Sequence, residues 1–218
     1  MDVIQRIDEK IAAQRLLDHP FYSAWSSGAL TRNALERYAE QYYHWTEAFP
    51  TFLSASHAIC PDLAARQEIL SNLVDEEMGP DNHPELWLRF CDALGLDREA
   101  VKSSEVLPET AHAIASVREL CRQEPFVAGM SALYAYESQQ PEVMTTKREG
   151  LSGMYGVTTG HDFFVEHETA DVRHSEGERD LIRKYAGGHE DEVVTGAQVG
   201  LDAVYSLLDG VYARYVAG

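Results

Sequence analysis

The segment EDEVVTGAQVGLDAVYSLLDGVYARYV, residues 190–216, decides the fold class. Its apolar residues recur every three or four positions, which is the period of an α-helix that turns one face to a core. This stripe consists of Val193, Val194, Ala197, Leu201, Val204, Leu208 and Val211. The segment therefore predicts a long C-terminal helix that packs against other helices.

The remainder of the chain has the same helical period and contains no segment with the alternation of a β-strand. Further helices are predicted over about residues 2–17, 21–27, 32–59, 61–79, 83–94, 108–123, 125–139, 141–154 and 159–185. Thr31 is expected to cap the helix over 32–59, Pro50 to kink it, and the polar residues 97–109 to form a connection. The predicted fold is all-α: a single-domain helical bundle of about seven or more helices over residues 1–218.

The charge of the chain excludes some classes of partner. Asp and Glu number 36 against 18 Lys and Arg, so the formal net charge is −18, and no window forms a basic stripe that could follow phosphates. Nucleic acid and anionic membranes are therefore not expected as partners. The expected assembly is a homodimer, and the identity of any reductant is left open.

The sequence also carries expectations about compartment. No run of about 18 apolar residues occurs, and the N-terminal segment MDVIQRIDEK is charged throughout, so we expect a cytoplasmic protein. The three cysteines, Cys60, Cys91 and Cys121, are widely spaced and form no CxxC pattern. They are expected to be buried thiols rather than a disulfide framework or a zinc ribbon.

The segment HETADVRH, residues 167–174, is the first candidate for chemistry. At about 100° per residue, His167, Asp171 and His174 would project at roughly 0°, 40° and 340° and would share one stripe of a helix. Two imidazoles and a carboxylate are compatible with a ferrous ion that keeps positions open for oxygen. The stripe alone is equally compatible with a solvated helix.

Two other segments offer the remaining ligands of a dinuclear site. In NLVDEEMGPDNHPELW, residues 72–87, Glu76 and His83 are seven positions apart, and Gly79-Pro80 must bend or break the helix between them. In LYAYESQQP, residues 133–141, Glu137 lies on an otherwise apolar helix, where a carboxylate is costly to bury unless it is paired or bound to a cation. Three carboxylates and three histidines would leave two divalent ions with about one net positive charge.

These residues resemble the ligand set of the haem-oxygenase-like dimetal oxidases, and most of all the CADD-like p-aminobenzoate synthases among them. The resemblance extends over essentially the whole chain, from HPFYSAW (19–25) through YAEQYYHW (38–45) to the last helix. It implies a haem-oxygenase-like bundle with a metal site of Glu76, His83, Glu137, His167, Asp171 and His174. The bundle alone is not specific, since thiaminases, quinone-cofactor oxidases and haem oxygenases share it.

The resemblance also implies an unusual reaction. Members of this branch cleave one of their own tyrosines to form p-aminobenzoate for folate synthesis, and one of their own lysines is implicated as the amino donor. The matching residues are Tyr22 in HPFYSAW and Lys147 in MTTKREG, while Tyr38 and Tyr136 match further tyrosines near the site. The implied cofactors are two metal ions, Fe/Fe or Mn/Fe, together with O2 and an external reductant. Each chain would then complete about one turnover.

Two other hypotheses remain open at this stage. The same dimetal site could oxidise an external fatty acid or amino acid, as other members of the superfamily do. Alternatively, the protein could be a metal-free interaction protein, but the presence of the six residues that match metal ligands would then have no explanation. A thiaminase-like hydrolase leaves the same residues unexplained.

Overall fold

The computed structural model describes residues 2–217, and within that range it consists of helices and their connections without a β-strand. The helices are α1 (Val3–Ala13), α2 (Pro20–Ser26), α3 (Arg32–Ile59), α4 (Leu63–Glu77), α5 (His83–Ala93), α6 (Arg98–Lys102), α7 (Pro108–Leu120), α8 (Phe126–Glu137), α9 (Gln140–Gly153), α10 (Asp162–His167), α11 (Ala170–Tyr185) and α12 (Glu190–Tyr215). A short 3-10 helix, Leu16–Asp18, links α1 and α2. The all-α prediction is confirmed.

The centre of the bundle is α8, because every residue from Phe126 to Glu137 is buried. Helix α12 packs along α8 and α7, α11 packs on the other side of α8, and α3 contacts α4, α5, α7 and α8. All seven residues of the predicted apolar stripe on α12 are buried. This arrangement places the C-terminal end of α8, with Glu137, among the ends of several other helices.

Close contact between α8 and α12 depends on two glycines. A methyl group at Gly200 would lie 2.8 Å from the Cα of Ala132, and Gly196 faces the backbone of Ala128 in the same way. Carbon atoms do not approach so closely, so a larger side chain would push the helices apart.

We therefore expect Gly200→Ala to destabilise the protein by about 1–3 kcal/mol, the usual cost of overpacking a core. The matched control is Gly153→Ala, because Gly153 is exposed at the end of α9 with no atom within 4 Å of an added methyl group. Chemical denaturation of both variants measures the difference. Equal stability of the two variants would contradict the described packing of α8 and α12.

Several predicted helix boundaries are wrong, and each has a local cause. The first helix ends at Ala13 rather than near residue 17, and the 3-10 turn follows. The predicted connection over 97–109 contains α6, which starts because the Asp97 carboxylate accepts the N–H of Ala100. Thr31 caps α3 as predicted, since its Oγ1 accepts the N–H of Ala34.

Two helix breaks matter for the candidate site. Helix α4 ends at Glu77 and α5 begins at His83, with Gly79 between them at a φ of +84°, so the chain breaks here rather than bends. The helix predicted over 159–185 is two helices, α10 and α11, and the interruption falls at Glu168–Thr169. His167 therefore does not share a helix with Asp171 and His174.

Two negative expectations can be compared with the structure. Among residues 2–217 no helix is long and apolar enough to cross a membrane. The three cysteines are buried and unpaired, as predicted. Their thiols belong to the core rather than to a disulfide or a zinc site.

Candidate metal centre

The six residues predicted as metal ligands lie together in the core, at or near the ends of five helices. Their exposed fractions are between 1% and 5%. The last turn of α4 supplies Glu76, the first residue of α5 is His83, and α8, α10 and α11 provide the others, Glu137, His167, Asp171 and His174. The helix breaks described above turn these side chains toward one point.

The first group of possible ligands contains Glu76, His83 and His167, whose ligand atoms lie within 4.8 Å of one another. Nδ1 of His83 is 2.8 Å from Oε2 of Glu76, yet this nitrogen has no hydrogen bond. The Nδ1 of His167 contacts the carbonyl of Phe163 at 2.7 Å. Its Nε2 therefore remains for a ligand, because a histidine that binds metal commonly donates its other N–H to a backbone carbonyl.

The second group contains Glu76, Glu137 and His174, again with ligand atoms within 4.8 Å. Nδ1 of His174 is 3.8 Å from Oε1 of Glu137 and 3.5 Å from Oδ1 of Asp171. Glu76 belongs to both groups. A carboxylate has two oxygens, so this shared residue is suited to bridge two ions.

Neighbouring polar groups orient these side chains. Nε2 of His174 lies 3.1 Å from Oδ2 of Asp75, which leaves Nδ1 facing the centre. The amide of Asn72 donates to both carboxylate oxygens of Glu137 at 3.3 Å. Asp75 thus orients His174, and Asn72, which the sequence did not predict, orients Glu137.

The unsatisfied atoms of the centre fit a cationic group. Both oxygens of Asp171, Nδ1 of His83 and Nδ1 of His174 are buried without a hydrogen-bond partner. Buried polar atoms are normally paired, so a cluster of orphaned acceptors requires an explanation. Metal ions bound by carboxylates and neutral imidazoles would satisfy all of them.

Burial and neighbouring charges shift the pKa values of the carboxyl groups. Burial raises the pKa of Glu137 to about 7, with the charge of Asp171 adding to the effect and His174 opposing it. Burial and the neighbouring Glu76 raise the pKa of Asp171 well above its usual range. Both groups therefore resist ionisation until a cation is present.

The histidines of the first group have opposite shifts. Burial, reinforced by His83, lowers the pKa of His167 well below its usual value. Burial also opposes the charging of His83, but the carboxylates of Glu76 and Asp171 outweigh it and raise the pKa of His83. His167 is consequently neutral at pH 7, the form in which imidazole binds metals.

The shift of Glu137 predicts how the stability of the metal-free protein depends on pH. The folded state holds this proton more tightly than the unfolded state, so the contribution of Glu137 is favourable below about pH 4.5 and is lost as pH rises toward 7. A shift of this size corresponds to about 3 kcal/mol.

We expect metal-free Glu137→Gln to match the wild type near pH 4.5 and to exceed its unfolding free energy by a growing margin up to pH 7, because glutamine mimics the neutral acid. Urea denaturation across this pH range measures the margin. A difference between the two proteins that does not vary with pH would contradict the shifted pKa.

The aromatic residues beside this centre surround a buried lysine. Lys147 is 0% exposed, and its Nζ lies 4.3 Å from the ring centroid of Tyr42, 5.4 Å from that of Tyr38 and 5.7 Å from that of Tyr22. Among residues 2–217, its one neighbour within hydrogen-bond range is the sulfur of Met144, at 3.9 Å. Burial lowers the pKa of Lys147 well below its usual value and so favours the neutral amine.

Tyrosine hydroxyls connect this cluster with the carboxylate and histidine centre. The hydroxyls of Tyr42 and Tyr136 are 2.5 Å apart, and Tyr136 precedes Glu137 in α8. The rings of Tyr38 and Tyr42 are in contact, with centroids 5.3 Å apart. The four residues predicted for chemistry, Tyr22, Tyr38, Tyr136 and Lys147, thus lie in one buried cluster, and Tyr42 joins them unpredicted.

Helix α2 holds Tyr22 in this cluster. His19 caps the helix, since its Nδ1 accepts the N–H of Phe21, and its Nε2 lies 3.1 Å from Asp209 of α12. Trp25, one turn after Tyr22, donates its indole N–H to the carbonyl of Lys147. These contacts fix α2 against both α12 and α9.

Glu178 is a further buried carboxyl group that the sequence interpretation missed. It is 2% exposed on α11, and burial together with the adjacent Glu137 raises its pKa well above the usual range. Glu178 lies four positions after His174 and seven after Asp171. Extending the helical stripe by one turn would have predicted it.

Fold and site together define the class: an all-α bundle built around a buried carboxylate and imidazole centre suited to metal ions. The family of iron-containing redox enzymes matches residues 36–205, and the chain belongs to this family. The protein is an oxidoreductase, and the buried groups support a site for two metal ions.

Several characterised relatives are similar along nearly their whole length. The 4-aminobenzoate synthase of Nitrosomonas europaea is 42% identical, with 98% of this chain and 92% of the relative aligned. The 4-aminobenzoate synthase of Chlamydia trachomatis is 38% identical over 96% of this chain and 91% of its own length. Among solved structures, a CADD-like protein from Nostoc punctiforme superimposes with a TM-score of 0.81 at 16% identity, covering 99% of this chain and 97% of the other. This last similarity establishes the haem-oxygenase-like fold.

Proposed function

We propose that this protein makes 4-aminobenzoate from its own Tyr22, with Lys147 as the amino donor. The observation that carries the proposal is the fully buried amine of Lys147, which lies among Tyr22, Tyr38 and Tyr42 beside the carboxylate and histidine centre. Relatives named 4-aminobenzoate synthase, up to 42% identical over most of the chain, support the same activity.

The tyrosine side chain contains the carbon skeleton that this product needs. From Cβ outward, Tyr22 has the six-membered ring and the single attached carbon of 4-aminobenzoate. Breaking the Cα–Cβ bond and oxidising Cβ to a carboxylate gives the benzoate end. Nζ of Lys147 would form a bond to the ring carbon that carries the phenol oxygen, and that oxygen would leave as water. Two-electron oxidation of the Cε–Nζ bond to an imine, followed by hydrolysis, would then leave Cε as an aldehyde and nitrogen on the ring, while Cα of residue 22 would take up hydrogen and become a glycine. O2 is the oxidant and is reduced to water, with the remaining electrons supplied by the external reductant.

Six residues would hold two metal ions: Glu76, His83, Glu137, His167, Asp171 and His174. His83 and His167 would hold one ion, Glu137 and His174 the other, and Glu76 both, in line with the two groups of close ligand atoms. Asp171, whose Oδ1 lies 3.5 Å from Nδ1 of His174, would add a further carboxylate ligand. Carboxylate and imidazole ligands suit iron and manganese, so the pair is Fe/Fe or Mn/Fe. When bound, the ions supply the activation of O2.

The chain's own residues prepare the reactants. Burial keeps Lys147 in the neutral form that can act as a nucleophile, and it keeps the phenol of Tyr22 protonated by raising its pKa. The rings of Tyr38 and Tyr42 hold the amine in place, and the hydroxyl of Tyr42 pairs with that of Tyr136, the residue before Glu137 in α8. Exclusion of water would limit side reactions of the oxidised tyrosine.

Isotope labelling tests the proposal. Protein labelled with ring-13C tyrosine and ε-15N lysine is loaded anaerobically with ferrous iron, then exposed to O2 and reductant. We expect 4-aminobenzoate that carries both labels, at no more than about one molecule per chain, and a mass change in the peptides containing Tyr22 and Lys147. Unlabelled product, or product without a change in either peptide, would contradict it.

A further inference from the structure

A buried carboxyl group outside the six proposed ligands has no cationic partner. Glu178 is 2% exposed, and the side chain beside it is the carboxyl group of the proposed ligand Glu137. It lies on α11 one turn beyond His174, on the same face as His174 and Asp171. Burying an unpaired carboxylate is costly, so a residue in this position implies a cation.

The nearby cationic side chains are engaged elsewhere. Arg179 donates from Nη2 to Asp8, and Arg173 donates to Asp75. The amide of Asn72 is directed to Glu137. Among residues 2–217 no ion pair includes Glu178, so no side chain there supplies the positive charge that a bound cation would bring.

A small cavity leads from the surface to this carboxyl group. Its lining includes the exposed residues Glu68, Ser71 and Arg173 at one end and the buried residues Asn72, His174 and Glu178 at the other. Its volume is ≈ 30 Å³, which admits a guest the size of a water molecule. An ion that has shed most of its hydration shell has this size, and carboxylate oxygens can replace the lost water.

We propose that Glu178 binds a divalent metal ion entering through this cavity and delivers it to the position formed by Glu137 and His174. The proposal rests on the function proposed above, since it concerns the loading of the same site. Glu178 adjoins Glu137, and His174 lines the cavity, so an ion would pass from one ligand to the next without crossing the apolar core.

The position formed by His83 and His167 would load by a different route. His83 lines a separate cavity, together with Asp81 and Glu166. Because this cavity does not include Glu178, the loss of its carboxylate should affect only one of the two metal positions. This asymmetry separates metal delivery from a general effect on folding.

Uptake of Mn²⁺ by the metal-free protein tests the proposal, with the EPR signal of the free ion as the readout. The wild type should take up two ions per chain. Glu178→Gln should take up one at the wild-type rate and the second at least tenfold more slowly. Glu176→Gln, an exposed change of the same kind on the same helix, should behave like the wild type.

A second variant distinguishes the effect of the carboxylate charge of Glu178 from the effect of its packing. Glu178→Asp keeps the carboxylate and should recover uptake of the second ion relative to Glu178→Gln. Uptake as slow as in Glu178→Gln would overturn the proposal, as would wild-type uptake of both ions by Glu178→Gln. These outcomes are independent of catalysis: normal Mn²⁺ uptake without any formation of 4-aminobenzoate would refute the proposed function and leave the delivery role intact.

Discussion

Replacing Glu76 by glutamine is expected to abolish tight binding at both metal positions and, with it, the formation of 4-aminobenzoate. Glu76 is the one residue common to both groups of close ligand atoms, and glutamine keeps its size while removing the charge. Mutation of a residue that only hydrogen-bonds to a metal ligand typically lowers metal affinity by about 10–100-fold. Because Glu76 would be a ligand itself, we expect Glu76→Gln to lower the metal affinity by more than about 100-fold. Elemental analysis after anaerobic loading and chromatography of the product measure both effects.

The control for this prediction is the adjacent residue. Glu77→Gln changes an exposed carboxylate in the same helical turn, and it should retain both ions and the product. If Glu76→Gln kept one ion at wild-type affinity, Glu76 would not be shared between two positions. The centre would then have to be assigned to different ligands.

Replacing Tyr22 by phenylalanine is expected to reduce 4-aminobenzoate to the detection limit without changing the metal content. Phenylalanine fills the same space against Phe21 and Tyr38 but lacks the phenol oxygen at the carbon where nitrogen must enter. Since Tyr22 belongs to neither group of close ligand atoms, both ions should remain. Mass spectrometry of the product and elemental analysis of the protein provide the two readouts.

A second tyrosine serves as the matched control for this variant. Tyr43 lies on α3 and is buried like Tyr22, but its hydroxyl donates to Glu47. Tyr43→Phe should therefore leave product formation unchanged. Repeated turnovers by Tyr22→Phe on an added fatty acid or amino acid would instead favour an oxidase with an external substrate. That outcome would remove the reason for a buried lysine beside Tyr22.

The sequence was most informative where regular spacing determines structure. The apolar period over residues 190–216 predicted α12 within one residue of its observed end at Tyr215, and Thr31 predicted the start of α3. The six candidate ligands also come together in the core as expected. Spacing succeeded for the helices because burial of an apolar stripe limits the possible arrangements. The ligands meet although helix breaks separate His83 from Glu76 and His167 from Asp171, because buried charged groups must gather around partners.

The remaining features depend on tertiary contacts that no local pattern specifies. The break between His167 and Ala170 was missed because the segment has good helical periodicity, and only packing against other helices shows that α10 and α11 separate. In the sequence, Asn72 has the pattern of an ordinary polar residue of a helix, and Tyr42 has that of an ordinary buried aromatic residue. Their roles follow from partners 65 and 94 positions away, Glu137 and Tyr136.

The most direct test of the central claim is a crystal structure of the metal-loaded protein, with anomalous scattering measured at the iron and manganese edges. We predict two peaks in the core, one beside His83 and His167 and one beside Glu137 and His174, with the carboxylate of Glu76 between them. A single peak, or peaks that do not contact Glu76, would contradict the account.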